Sequence, residues 1–267
     1  MMSVIRSGLD AAIQNLDVTS NNIANARTTG YKKRHAAFTD IYSTKIATAT
    51  GDRLGIGVHM PEIRTSRAQG NLQKTNSVMD LAIEGEGLFA LRDVANPDAN
   101  VYTRDGSFTL NKQGDVISRD GYNLMSSNNE PINIPLKANG ILTADGFQAF
   151  GKENSLTSIV ITENGNIQAT YGGTNIVSLG KVGLTSFSDP NRLTPIGANL
   201  FRHSKESGIG VLGEPVSSGR GKIYSGALEM ANTNITTELS NMIRAQQAFS
   251  GSSRLLQSEA EMVKKLI

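Results

Sequence analysis

The chain has 267 residues, 38% of them hydrophobic and 19% charged, which is enough length and apolar content for a folded protein with a real core. A net charge of +2 is too small for the dense basic face that nucleic acid demands, and the lack of cysteine excludes disulfides and thiolate metal sites. The 27 glycines, set against 5% aromatics, point to many tight turns and so to β structure over much of the length.

At the N-terminus, Arg6, Asp10 and Asp17 interrupt any apolar run, and no A-x-A cleavage site follows, so no cleaved secretory signal is expected. No apolar stretch approaches the roughly 20 residues that span a bilayer, so no membrane insertion is expected either. Ile5, Leu9, Ala12, Leu16 and Ile23 recur at steps of four and three, with Thr19 in the remaining slot. That is the narrow apolar stripe of a helix that pairs with another helix. Asn25, Thr28, Thr29 and Gly30 supply residues that end helices. Arg27, Lys32, Lys33 and Arg34, with Tyr31 among them, read as a solvated basic turn.

The middle of the chain reads as an antiparallel β meander over residues 76–203. Val101 to Arg104 and Ser107 to Leu110 flank Asp105-Gly106, which predicts a two-residue hairpin of the I′ type. Val116 to Ser118 and Tyr122 to Met125 flank a second turn at Asp120-Gly121. Asn139-Gly140, Asp145-Gly146 and Asn164-Gly165 mark further turns, while Ile159 to Ile161 and Val182 to Leu184 read as short strands. Residues 34–75 and 204–232 read as an extended or β connector region, the second of them rich in Gly and Ser around Pro215.

The C-terminal end carries the fuller version of the helical stripe. Ile235, Leu239, Met242, Gln246, Phe249, Ser253, Leu256, Ala260, Val263 and Ile267 keep the 3.5-residue spacing of a coiled-coil seam. Asn234 or Thr236 can cap the start, and Lys264 and Lys265 suit the dipole at the end. Gly251 is the weak residue, at about 1 kcal/mol relative to alanine. The predicted fold class is therefore α+β, with a mainly-β central domain and N- and C-terminal helices pairing as a coiled coil. The predicted divisions are 1–33 with 233–267 for the helices, 34–75 with 204–232 for the connector, and 76–203 for the β-rich domain.

Catalytic patterns fail on their context. Gly208, Gly210 and Gly213 formally make G-x-G-x-x-G, but Pro215 follows where the dinucleotide fingerprint needs a helix. Ser178 and Lys181 have serine–lysine spacing without the helix that would bring them together. His35, His59 and His203 are scattered, and Glu84 and Glu86 are adjacent instead of opposed across a cleft. No catalytic, cofactor-binding or metal-binding residue is expected, and the chain reads as a structural subunit and not as an enzyme.

The segment Leu16 to Lys32 contains Asn21-Asn22-Ile23-Ala24-Asn25 followed by Thr28-Thr29-Gly30-Tyr31-Lys32, and it resembles the N-terminal signature of the bacterial flagellar rod and hook proteins. Similar segments follow in the family's order: Gly55 to Val58, Gln69 to Leu72, Asp80 to Phe89, Tyr102 to Phe108, Gly197 to Phe201 and Gly226 to Glu229. The resemblance implies a subunit of the periplasmic axial shaft of the basal body. Such a subunit polymerises helically and transmits torque to the hook. Its implied partners are further copies of itself, adjacent rod and hook proteins and the type III export apparatus. Ile5, Leu9, Leu16, Ile23, Leu239, Met242, Phe249, Leu256 and Val263 would form the assembly seam. Asn21, Asn22, Asn25, Thr29, Gly30 and Tyr31 carry the signature. Length and motifs are most similar to distal rod subunits; the short Phe38–Gly55 stretch, Ala231 and Gln247 keep a proximal rod subunit or a short hook-like subunit as alternatives.

Overall fold

A computed structural model describes residues 2–47, 53–93, 100–143, 146–173 and 175–266. The chain forms two compact units: Met1–Arg27, Lys32–Ala68 and Asn232–Ile267 make the first, and Thr28–Tyr31 with Gln69–Ala231 make the second.

The first unit joins both chain ends. Helix α1 (Met2–Ala24) is followed by strands β1 (Arg34–Ala47) and β2 (Arg53–Thr65), which pair antiparallel from Arg34↔Thr65 onward. The long C-terminal helix, α2, covers Ile235–Leu266. Asn234 caps it: its side-chain oxygen accepts from the Thr237 N–H at 3.2 Å, and its carbonyl accepts from the Glu238 N–H at 3.0 Å. The two helices run antiparallel, since Asn22 meets Glu238 near one end while Gly8 faces Ser252 further along. Strand β2 is tied to α1 where the Val58 N–H donates to Ser7 Oγ at 3.3 Å.

The second unit is β throughout its regular elements apart from one 3-10 turn at Pro190–Arg192. In chain order its strands are β3 (Leu72–Lys74), β4 (Leu81–Glu84), β5 (Leu88–Arg92), β6 (Asn100–Thr103), β7 (Phe108–Leu110), β8 (Val116–Ser118) and β9 (Asn123–Leu124). They continue as β10 (Lys137–Thr143), β11 (Gly146–Ile161), β12 (Asn166–Tyr171), β13 (Asn175–Lys181) and β14 (Leu184–Ser186). The last are β15 (Thr194–Gly197), β16 (Leu200–Arg202), β17 (Val211–Gly213), β18 (Lys222–Ser225) and β19 (Ala227–Glu229). The largest sheet runs β15-β16-β6-β5-β9-β8-β7, with β14 pairing both β5 and β17; β10 to β13 form a sequential meander. Two short pairs, β18 with β4 and β19 with β3, return the end of the unit to its beginning.

Strand alternation explains where the core lies. On β5, Phe89 and Leu91 face the main cluster with Ile83, Phe108, Leu124, Ile167, Tyr171 and Ile223. Leu88 and Ala90, on the other face, join Tyr102, Met125, Leu193 and Phe201. The strand is therefore buried on both sides, which is why its sequence shows no polar alternation. Strand β12 keeps strict alternation, with Ile167, Ala169 and Tyr171 inside; Phe89 and Phe108 meet edge to face at 5.2 Å.

Several turn expectations change. Asp105-Gly106 is not a hairpin: β6 pairs β5 and β16, while β7 pairs β8. Asp105 instead makes a side-chain turn, its Oδ1 accepting from the Ser107 N–H at 3.1 Å and Oγ at 2.8 Å. Gly106 is glycine because a Cβ there would lie 1.6 Å from the Leu81 carbonyl oxygen. The Asp-Gly signal marked a close backbone approach that carries the Leu81 N–H to the Gly106 carbonyl at 3.0 Å. The I′ geometry occurs elsewhere, at Ala198-Asn199, where both residues have positive φ (48° and 57°) between the paired Gly197 and Leu200. Nothing in the letters Ala-Asn announces that turn.

Asp120-Gly121 and Asn164-Gly165 do close hairpins, β8–β9 and β11–β12. Both use a turn that ends on a positive-φ glycine (85° and 75°), with Gly121 N–H donating to Ser118 and Gly165 N–H to Thr162. Asn139-Gly140 falls inside β10 at a register shift, and Asp145 lies outside the described residues, as does Ile267. Within 204–221, Val211–Gly213 adds strand β17 against β14. Lys32 is not solvated: it is 6% exposed, and its Nζ donates to the Ala68 carbonyl at 2.9 Å.

Two substitutions should move stability in opposite directions. Ala198→Gly relieves an L-residue at positive φ and is expected to stabilise by about 0.5–1 kcal/mol after the entropic cost of glycine. Gly106→Ala is expected to destabilise by roughly 3 kcal/mol or more, since strand β4 must move. Urea titration of the full-length variants measures both, and a midpoint for Gly106→Ala equal to that of the parent would contradict the close approach.

Candidate functional site

Several segments picked out in the sequence, those holding Gly30, Gln69, Ile83, Arg104 and Glu229, meet inside the second unit at one buried ion pair. Arg104 follows β6, and Glu229 ends β19; Arg104 Nε donates to Glu229 Oε2 at 2.5 Å, with side chains 6% and 0% exposed. A carboxylate and a guanidinium removed from water lose several kcal/mol each of hydration, so the pair survives only if its other polar atoms find partners. They do. Arg104 Nη1 donates to the Gly87 carbonyl, and Nη2 donates to Gln69 Oε1 at 3.0 Å, the Ile83 carbonyl at 3.1 Å and the Gly85 carbonyl at 2.6 Å. Glu229 Oε1 accepts from the Gly70 N–H at 2.8 Å. The Glu229 backbone carbonyl accepts from the Gly30 N–H, also at 2.8 Å. Gly30 has φ 68° and so little room that a Cβ would lie 2.5 Å from the Asp105 nitrogen. Asn199, held in its I′ turn, donates to the Thr29 carbonyl at 2.8 Å.

A second polar junction holds the first unit. Asn22 occupies α1 at 2% exposure, and its side chain mimics a backbone pair. It accepts from the Arg34 N–H at 2.9 Å and donates to the Arg34 carbonyl at 2.7 Å and to Glu238 at 3.2 Å. Asn232 does the same for the segment before α2: it accepts from the Lys33 N–H at 2.7 Å and donates to the Ser66 and Ala68 carbonyls. Asn25 closes α1 by donating to the Asn21 carbonyl at 2.9 Å and to Asn21 Oδ1 at 3.0 Å. An amide, carrying donor and acceptor together, can satisfy both groups of one peptide, which no charged or hydroxyl side chain does as well.

Among the predicted seam residues, Ile5, Leu9, Leu16, Ile23, Met242 and Leu256 are half-buried, whereas Leu239, Phe249 and Val263 are exposed. The residues α2 buries are Glu238 and Ala245, with Ser252 and Glu259 half-buried at the same seven-residue interval. On α1 they are Ala12, Val18, Thr19 and Asn22. Of the signature residues, Asn22, Gly30 and Tyr31 are buried, Asn25 and Thr29 half-buried and Asn21 exposed. Arg104, Gln69 and Glu229 were not singled out. Each lies in a motif segment, but the partners Arg104 and Glu229 are 125 residues apart, and a single sequence cannot pair them.

At the surface, Lys222 Nζ lies 3.2 Å from Glu84 and 5.0 Å from the centre of the Tyr224 ring. The Lys222 hydrogen bond, then that of Tyr224, lowers the Glu84 carboxyl below its usual range; Tyr224 and Glu84 in turn raise the Lys222 ammonium. Burial alone raises the Tyr102 and Tyr171 phenols. Among the described residues, no group of three His, Asp or Glu side chains is placed to hold a metal, and no helix is long and apolar enough to cross a membrane.

The ion pair yields a cycle to measure. Arg104→Met is expected to cost about 3–5 kcal/mol, because Glu229 is left as a buried charge without its cation. Arg104→Met with Glu229→Gln should recover part of that loss, as partners in one network do. Denaturant titrations of the two single variants and the double variant give the coupling energy; strict additivity would refute it.

Comparison with known proteins matches residues 2–32 to the family described as "Flagella basal body rod protein". Residues 82–169 match "Flagellar hook protein FlgE/F/G D1 domain", and residues 224–267 match "Flagellar basal body rod FlgEFG protein C-terminal". The flagellar basal-body rod protein FlgG of Buchnera aphidicola subsp. Baizongia pistaciae is 34% identical over 98% of this chain and 96% of its own length. That of Bacillus subtilis is 32% identical over 98% and 95%. The flagellar hook protein FlgE of Brucella suis is 24% identical, and its alignment needs 394 positions to cover this chain. These relatives are named for structural proteins and not for enzymes. With motifs joined at both junctions and about one third identity to rod proteins along nearly the whole length, the chain belongs to the flagellar basal-body rod and hook protein family and is most like its FlgG rod members.

Proposed function

We propose that this chain is a structural subunit of the bacterial flagellar rod, which polymerises helically into the periplasmic axial shaft and transmits torque to the hook from the distal rod position. The observation that carries the reading is the apolar surface along α2: Leu239, Ile243, Leu255, Met262 and Val263 are all between 46% and 61% exposed. A helix that leaves such side chains in water has apolar surface still to be covered, and a contact between identical subunits that does not close on itself makes a filament. On this reading α1 and α2 pair as a coiled coil whose seam is completed by neighbouring copies. Ile5, Leu9, Leu16 and Ile23 supply one side, and Leu239, Met242, Phe249, Leu256 and Val263 the other. Adjacent rod and hook proteins meet the ends of the polymer, and the type III export apparatus delivers the subunits. A rod member is favoured over a hook subunit because rod relatives match this chain nearly end to end, without the long unmatched stretch of the hook relative.

Leu239→Asp tests the seam without attacking the monomer. Leu239 is 46% exposed in the single chain. The change should therefore alter monomer stability by no more than about 0.5 kcal/mol. In a lattice the same carboxylate is buried unpaired and should abolish assembly and swimming. Thermal unfolding of the purified variant and motility of the strain are the two readouts; normal swimming would count against the seam.

A further inference from the structure

The outer faces of the two helices, turned away from each other, carry opposite charges beside an apolar knob on one and an open groove on the other. On α1 the residues Arg6, Asp10, Ile13 and Asp17 follow steps of four, three and four, and all are exposed. Ile13 is 40% exposed, an apolar knob between two carboxylates. On α2, Ile243, Gln246, Gln247, Ser250, Gly251 and Arg254 line a groove of about 520 Å³. Gly251 leaves open space on this face, since a Cβ placed there would meet nothing within 4 Å. Arg244 and Arg254 stand on the same stripe as Gly251, one on either side, and both are exposed. None of Asp10, Asp17, Arg244 and Arg254 makes an ion pair among the described residues.

We propose that the α2 groove is a docking site for the α1 outer face of a second copy of this chain, with Ile13 seated over Gly251 between the pairs Asp10–Arg254 and Asp17–Arg244. The proposal rests on the polymerising-subunit reading above and names one of its contacts. On the polymer reading, copies related by a screw operation about one axis present helices that run near that axis in the same sense. The α1 of one copy therefore meets the α2 of the next antiparallel, as α1 and α2 already lie within a chain. In that sense Asp10 approaches Arg254 when Ile13 lies over Gly251, and Asp17 points towards Arg244. The carboxylates are two turns apart, about 10.5 Å along the axis, and the arginines about 15 Å. The difference lies within the swing of two arginine side chains. Because each copy presents the knob on one helix and the hole on the other, the contact is heterologous and propagates without closing. It also gives a reason for a glycine inside a 32-residue helix, where it weakens the helix by about 1 kcal/mol.

The absence of native cysteine makes the test clean. The full-length Ile13→Cys, Gly251→Cys double variant, expressed in the motile bacterium and oxidised, should give a ladder of disulfide-linked multimers, and each single variant should not. Gly251→Leu fills the groove and should raise the thermal stability of the monomer. It should also cut the multimer yield after amine-reactive cross-linking about tenfold, the change expected when ~1.4 kcal/mol is lost per contact. Arg254→Asp should cut the yield likewise, and Asp10→Arg in the same chain should restore it. A ladder with the amine-reactive reagent but none from the cysteine pair overturns this contact and leaves polymerisation standing. No ladder from the amine-reactive reagent in wild-type cells, together with none from the cysteine pair, overturns both.

Discussion

The second unit depends on one buried ion pair. Arg104 and Glu229 stand at 6% and 0% side-chain exposure, and a pair so placed gives the fold little net stabilisation by Coulomb attraction alone. What it supplies is a constraint. The five donors of the guanidinium lie in a fixed plane, and the acceptors they reach come from Gln69, Ile83, Gly85, Gly87 and Glu229. Any displacement of these segments leaves a buried donor or acceptor unpaired, which is worse than never having buried it. The pair therefore fixes geometry across segments that β hydrogen bonding alone does not join, since β3 and β4 belong to separate two-stranded pairs with β19 and β18. In a shaft under torque, a junction that resists shear in every direction is worth more than extra burial.

The first unit solves the same problem with amides. Asn22 and Asn232 each join stretches of chain by satisfying backbone groups that lie beyond the end of a strand ladder or helix. Asn25 and Asn234 close the two helices at their facing ends. These residues sit where a helix stops and the chain must turn, a place where peptide groups are left without helical partners.

The terminal helices and many of the β strands were legible because periodicity is a local property of the sequence. The Asp-Gly pair at 105–106 misled because glycine answers two different needs, positive φ and close approach, and the letters do not say which. Here the Leu81 carbonyl decides, and it is contributed by another strand. The I′ turn at Ala198-Asn199 was invisible for the converse reason: its alanine tolerates strain that the pairing of β15 and β16 and the Asn199 bond to Thr29 enforce from outside. The signature asparagines were legible as a pattern, but their function was not. Which peptide each amide satisfies depends on chain brought in from elsewhere, as with Asn22 and Arg34.

The face each helix turns to its partner also explains why the larger apolar residues remain outside. Gly8, Ala12, Ala245 and Ser252 let α1 and α2 approach closely, and Asn22 with Glu238 fixes their register. Such a contact sets alignment but buries little: an alanine methyl is worth about 0.8 kcal/mol, against about 1.5–3 kcal/mol for a leucine or phenylalanine. Leu239, Ile243, Leu255 and Val263, at 46% to 61% exposure, still have burial energy to gain. If those side chains were spent on the α1–α2 contact, the monomer would be more stable and would have less to gain from a neighbour. On the proposed polymer reading, the large apolar side chains that α2 leaves exposed give the chain a gain from a neighbour that its own α1 does not supply.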